Sequence, residues 1–285
     1  MLTDQFELLA RYLPRDVNMG QNLDYVNYHS RAIHVNGEND LYTLEYFAFH
    51  ILWMSFLEKI THLLYMYDES GVKTALGNDG SANRVLSDSI SLYDLSAINE
   101  KKLCEITKYP LIGYHGNQIG NLRELVDKRD HIAHCSGVLD LHEEDILQYA
   151  RRCVRYTMEI NDRINVVILA RWDSFIIFLN GNNQQYSLVH DAVIEYLSRD
   201  AVSLVDIETI LKMRTISDSA LEESNFRGNL ALMQLAFVAE DYDIDLDISE
   251  NYKATILSHT ITEEQKAQVQ DENEAYVRFR VRLVK

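Results

Sequence analysis

Arg129 and His134 lie in one short run, Arg129-Asp130-His131-Ile132-Ala133-His134, and their side chains can do chemistry together. A guanidinium stays charged and presents parallel donors that match a carboxylate or a phosphate. An imidazole exchanges protons near neutrality. The pair therefore suits a reaction in which an oxyanion is held while protons move around it. Asp130 can orient either member. The run reads as the end of a helix starting at Asn121, which can cap the first amides, with Glu124 completing a capping box. Leu122, Leu125, Val126, Ile132 and Ala133 make its apolar stripe at about 100° per residue, and Arg129 falls near the middle of that stripe. A guanidinium there is costly unless paired. His134 lies about 140° round the same helix, while His131 points to the polar side.

The element that must support this helix is Leu41 to Tyr67, apolar nearly all round with Phe47, Phe49, Ile51, Leu52, Trp53, Met54, Phe56 and Leu57. His50, Glu58, Lys59 and His62 interrupt it, so the unbroken run is too short to span a bilayer and a central core helix is expected. Glu58 shares a face with Phe47, Ile51, Met54 and Tyr65. It is a second charge on an apolar face, and a Glu58–Arg129 pair would satisfy both.

An Arg, a polar neighbour, three more residues ending in Ala, then His, with Gly137 shortly after, resembles the Arg-x4-6-His motif of the HEPN superfamily. The form here is Arg129-x4-His134, with Asp130 as the polar neighbour, and the resemblance covers roughly residues 1–180. It implies a helical bundle, usually dimeric, and a metal-independent endoribonuclease that needs no cofactor. Arg129, His134 and Asp130 would be its catalytic residues. Glu58 would be the acidic residue of an early helix facing them. Products would be a 2′,3′-cyclic phosphate and a 5′-hydroxyl. Such proteins often serve as toxins or anti-phage effectors that cut tRNA or other cellular RNA, and an inhibitor or defence-system partner protein is then expected. Geometry also favours a homodimer: one helix splays its Arg and His apart, and a two-fold axis would supply both around one cleft. The alternative left open is a non-catalytic helical module that dimerises or docks a partner, with Arg129 and His134 structural.

Arg151, Arg152 and Arg155 cluster on the next long helix. They form either the basic wall of an RNA groove or a solvated face balanced by Glu143 and Asp145. The net charge of −17, with pI ≈ 4.9, argues against non-specific binding of long nucleic acid but leaves room for a local basic site. Three cysteines, Cys104, Cys135 and Cys153, form no paired framework, and Met1 to Glu7 does not read as a signal peptide; a reduced, cytoplasmic protein away from membranes is expected. Zinc requires four converging ligands, and His131, His134, Cys135 and His142 do not converge. Cys135 and His134 are adjacent and point about 100° apart, which excludes a nucleophile dyad. The chain has no phosphate-binding glycine loop and no nucleophile elbow.

With 47% hydrophobic residues, two prolines and 11 glycines, the 285-residue chain favours an α-rich fold. Residues 1–35 read as short helices around Pro14, with a loop at Asp16 to Gln21. Gly71 to Asn83 reads as a loop and Ser91 to Lys108 as a helix. A long helix runs from near His142 to Phe178, closed by Asn180-Gly181-Asn182-Asn183. Tyr186 to Ser198, Leu204 to Met213 (with Ser203 and Asp206 in cap positions) and Asn229 to Glu240 follow as helices. Tyr242 to Ile248 and Val277 to Leu283 alternate strictly, one with a row of Asp and the other with a row of Arg, and are expected to pair as strands. The Asp row lacks the glycine and terminal glutamate of a calcium loop. The expected fold is thus mainly α: a HEPN-like bundle over 1–183 and a smaller α+β part with a short sheet over 184–285.

Overall fold

The structure is a computed structural model, and it describes residues 2–14, 28–29, 31–35, 42–77, 85–86, 92–134, 141–181, 186–216, 226–241 and 248–283. Among these residues it is all-helical, with no strand. The chain forms two compact units, 1–16 with 21–167 and 17–20 with 168–285.

The first unit contains α1 (Leu2–Ala10), α2 (Tyr42–Tyr67) and α3 (Glu69–Leu76). A 3-10 turn (Leu92–Ala97), the short α4 (Glu100–Leu103) and a second 3-10 turn (Cys104–Lys108) lead to α5 (Asn117–His134). The long α6 (Glu143–Gly181) follows, and the division between units runs inside it. As its composition implies, α2 is the core helix: Tyr46, Phe49, Leu52, Trp53, Phe56, Leu57, Ile60 and Leu64 are fully buried. Lys59 is buried too, and its ammonium donates to the Tyr12 carbonyl at 3.2 Å, just past the negative end of α1.

Three local expectations are corrected here. The segment expected as a loop from Gly71 opens inside α3. Asp68 caps that helix by accepting from the Gly71 amide at 2.9 Å, and the Tyr109 hydroxyl donates to Asp68 at 3.0 Å. A Cβ on Gly71 would lie 2.1 Å from the Asp68 carboxylate, so this glycine marks close packing beneath a cap rather than a turn. The single helix expected over Ser91 to Lys108 is broken at Asn99, whose side chain accepts from the Lys101 amide at 3.0 Å and restarts the helix with Glu100 in its first turn. Finally, α5 begins at Asn117, one turn before Asn121, after Gly116 takes a positive φ of 49°.

The second unit holds the remainder of α6 with α7 (Val189–Arg199), α8 (Leu204–Met213), α9 (Phe226–Asp241), α10 (Ile248–Ser258) and α11 (Glu263–Leu283). Its central element is α9, where Leu230, Ala231, Met233, Leu235, Ala236 and Ala239 are fully buried. The expected cap of α8 is present: the Ser203 hydroxyl accepts from the Asp206 amide, and Asp206 accepts from the Ser203 amide. By length and composition α6 could also cross a membrane. Its Arg171 is forked onto Asp200 at 3.0 and 3.1 Å, and its Asp173 accepts from Arg214 at 2.6 and 2.8 Å, all within this unit.

Val277 to Leu283 is the end of α11, not a strand, which overturns the α+β expectation for this part. A seven-residue alternation is short. The Glu- and Gln-rich turns before it are good helix formers, and Arg is as well, so the helix propagates through it. Tyr276 and Phe279, one turn apart, share a face, and Tyr276 stacks on Phe237 with ring centroids 4.7 Å apart. The acidic run 242–247 lies outside the described residues, as does the loop expected at Asp16 to Gln21.

Candidate functional site

Arg129 projects from α5 with its side chain 28% exposed. Its Nη1 donates to Asp130 Oδ1 at 2.8 Å, and its Nη2 donates to Glu100 Oε1. The expected partner, Glu58, is not the one used. The helix break at Asn99 brings Glu100 to Arg129 instead. Glu58 faces Glu100, and burial first, then that neighbouring carboxylate, push its acid up to about 7. A guanidinium has five N–H groups. Two of Arg129's are used, and the other three have no partner among the described residues.

Behind the ion pair lies a chain of groups that sequence reasoning did not assemble. Glu100 Oε2 meets His50 Nε2 at 3.1 Å, and His50 Nδ1 lies 2.5 Å from the Tyr149 hydroxyl. His50 and Tyr149 are buried. Tyr46 packs on Tyr149 with centroids 4.1 Å apart and directs its own hydroxyl at the Leu125 carbonyl of α5 at 3.5 Å. Burial alone would raise the Glu100 carboxyl, but the His50 hydrogen bond and charge, with the Arg129 guanidinium, outweigh burial and hold it below the ordinary range. Lys101 adds a further cation, paired with Asp127 and lying 3.5 Å from Asp130. A signal for this network was present in the sequence: a histidine within an apolar core helix needs partners for both ring nitrogens.

His134 is the last residue of α5, exposed and without a hydrogen-bond partner among the described residues. It is displaced from Arg129 by about 7.5 Å along the axis and 140° round it. Asp130 is engaged by Arg129 and Lys101 rather than by His134. Cys135 and Gly137, which complete the motif, fall outside the described residues. The three further arginines lie elsewhere. Arg152 pairs with Glu124 and donates to the Asn121 carbonyl, Arg155 sits 5.0 Å over the Tyr156 ring, and Arg151 is exposed. Because Arg152 meets α5 at Glu124, this cluster stands about 15 Å along α5 from His134. No three His, Cys, Asp or Glu side chains among the described residues gather as a metal site.

What α5 presents is therefore a partly exposed guanidinium with donors to spare and, on a different face, a solvent-exposed imidazole. The first can bind an oxyanion and the second can exchange a proton, but one copy of the helix does not aim them at one point. Comparison with known proteins finds no match: no family model, no curated protein and no solved structure aligns with the chain.

Proposed function

We propose that this chain is a metal-independent endoribonuclease of HEPN type, acting in the cytoplasm as a toxin or anti-phage effector on tRNA or other cellular RNA. The observation that carries this reading is the state of Arg129: held in place by two carboxylates through one N–H each, partly exposed, and with three N–H groups uncommitted. Such a group can take a phosphate without first being freed. His134, exposed on the same helix, supplies the proton transfers. Because the two diverge, the active species is a homodimer in which each protomer's α5 completes the other's cleft. Arg151, Arg152 and Arg155 would guide the RNA strand further along.

One observation favours the second reading, a non-catalytic module that docks a partner protein. Arg129 is already counter-charged within its own protomer by Glu100 and Asp130. Expression of wild type beside Arg129→Ala and His134→Ala, with RNA integrity followed with and without EDTA, separates the two readings. The ribonuclease cleaves in chelator, leaves cyclic phosphate ends and falls silent in both variants. RNA that stays intact under wild-type expression, or cleavage that needs added Mg²⁺, removes the proposal. Light scattering that finds an active monomer removes its dimeric part.

A further inference from the structure

Both oxygens of Glu100 are committed, Oε1 to Arg129 and Oε2 to His50 at 3.1 Å. A carboxylate only accepts, so His50 Nε2 carries a proton. Its Nδ1 lies 2.5 Å from the Tyr149 hydroxyl, a hydrogen bond whose direction follows the tautomer of the ring. The hydrogen bonds are thereby continuous: the Tyr149 hydroxyl with Nδ1, Nε2–H to Oε2, guanidinium to Oε1. The relay runs from the interior outward, with Tyr149 2% and His50 1% exposed, to Glu100 and Arg129 at 28% each. Tyr46 and Trp53 flank the imidazole at 6.5 and 6.0 Å between ring centroids, so its plane has little freedom.

We propose that Tyr149 and His50 are positioning residues for Arg129. They pin Glu100 in one orientation, so that only Oε1 reaches the guanidinium and the remaining donors stay available to a phosphate. A carboxylate released from His50 would turn both oxygens onto the guanidinium, in the forked geometry that Arg and carboxylates favour. That fork would consume another donor and close the oxyanion-binding edge. The relay thus holds the ion pair short of its tightest form. A histidine serving the fold alone would end on groups that are themselves fully satisfied; this one ends on a cation with three N–H groups to spare. The catalytic consequence rests on the ribonuclease reading, whereas the geometry does not.

The test uses the full-length, isotope-labelled chain as wild type, Tyr149→Phe and His50→Gln, with inorganic phosphate as probe. NMR of the wild type shows a proton on His50 Nε2 and Arg129 N–H signals that shift on phosphate addition. In each variant the Arg129 signals change and the phosphate response needs at least about tenfold more ligand; in RNA cleavage, KM rises about tenfold to a hundredfold while kcat changes less. A second variant guards against misfolding of the first, and amide spectra establish that each is folded. If phosphate response and KM match wild type in a folded variant, the positioning role falls and ribonuclease activity stands. If wild type leaves RNA intact but its phosphate response still depends on Tyr149 and His50, the ribonuclease reading falls and the positioning role stands.

Discussion

Each unit contains a buried histidine tied to a glutamate, and the two networks end differently. In the second unit Glu272 is fully buried and accepts from the Val189 and His190 amides at 2.6 and 2.8 Å. It caps α7, whose own N-cap position, Leu188, has no side chain to offer. Gln234 donates to the Glu272 carbonyl at 3.0 Å and lies 3.0 Å from His190 Nδ1 through its other amide atom. The circuit closes on itself, and burial lowers the pKa of His190. In the first unit the circuit Tyr149–His50–Glu100 opens at its outer end onto Arg129. Residue types do not separate a structural network from a candidate site; what separates them is whether the terminal group has hydrogen-bonding capacity left and can be reached from solvent.

The largest expected effect tests closure. Glu272→Ala strands two buried amides and part of Gln234, and should destabilise the second unit by about 3–5 kcal/mol. The chain has two tryptophans, Trp53 and Trp172, one in each unit. In a Trp53→Phe background, urea unfolding followed by Trp172 fluorescence isolates that loss. A loss below about 1 kcal/mol would mean water or a neighbour replaces the cap readily, and the contrast with the first unit would dissolve.

Glu58→Gln tests the open network and should act in the opposite direction. The folded state raises the Glu58 acid to about 7, above its unfolded value, so the folded chain holds this proton more tightly. Below the ordinary carboxylate range both states are protonated and Glu58 has no effect. As pH rises from that range to about 7 the unfolded state ionises first and stability falls; above about 7 the penalty is complete. Glu58→Gln should therefore stabilise by about 1–2 kcal/mol in mildly alkaline buffer and by nothing in acid. Equal effects at both pH values would show that Glu58 acts through packing.

The smallest effect concerns the other end of the helix that Glu272 caps. Val202 N donates to the Leu197 carbonyl at 3.0 Å, closing α7 through Ala201 at φ 52°, a left-handed conformation that suits glycine. Ala201→Gly should stabilise by about 0.5–1 kcal/mol, read as a rise in the urea midpoint. No change would mean that Ala201's buried methyl group offsets the strain by packing.

Much of the helical frame was legible because its signals are local. The all-round apolar run of α2, the acids at the start of α6 and the Ser203–Asp206 cap each place an element within a few residues. Gly71 misled because a glycine under a cap looks like a glycine in a turn until Asp68 and Tyr109 are seen around it. The terminal Val-Arg alternation misled because seven residues carry either period, and the helix behind them decides. At the site, the motif helix and the need for a counter-charge were readable, but its identity was not. The sequence put Glu58 forward, and only the helix break at Asn99 brings Glu100 to the guanidinium instead. Tyr149 could not be foreseen at all, since nothing local joins it to His50.

The burial of two thiols has a kinetic consequence. Cys104 and Cys153 are free and fully buried. Burial, and then Glu100, push the Cys104 thiol up to about 12, and burial raises Cys153 as well. Only the thiolate attacks alkylating reagents, so both are inert while their surroundings stay packed. All three cysteines of the chain fall within 21–167. Labelling of Cys104 and Cys153, mapped by mass spectrometry, is therefore a clock for transient opening of the first unit alone, blind to any breathing of the second. A ligand that seats on Arg129 should slow that clock in proportion to its occupancy, whether or not it is ever cleaved.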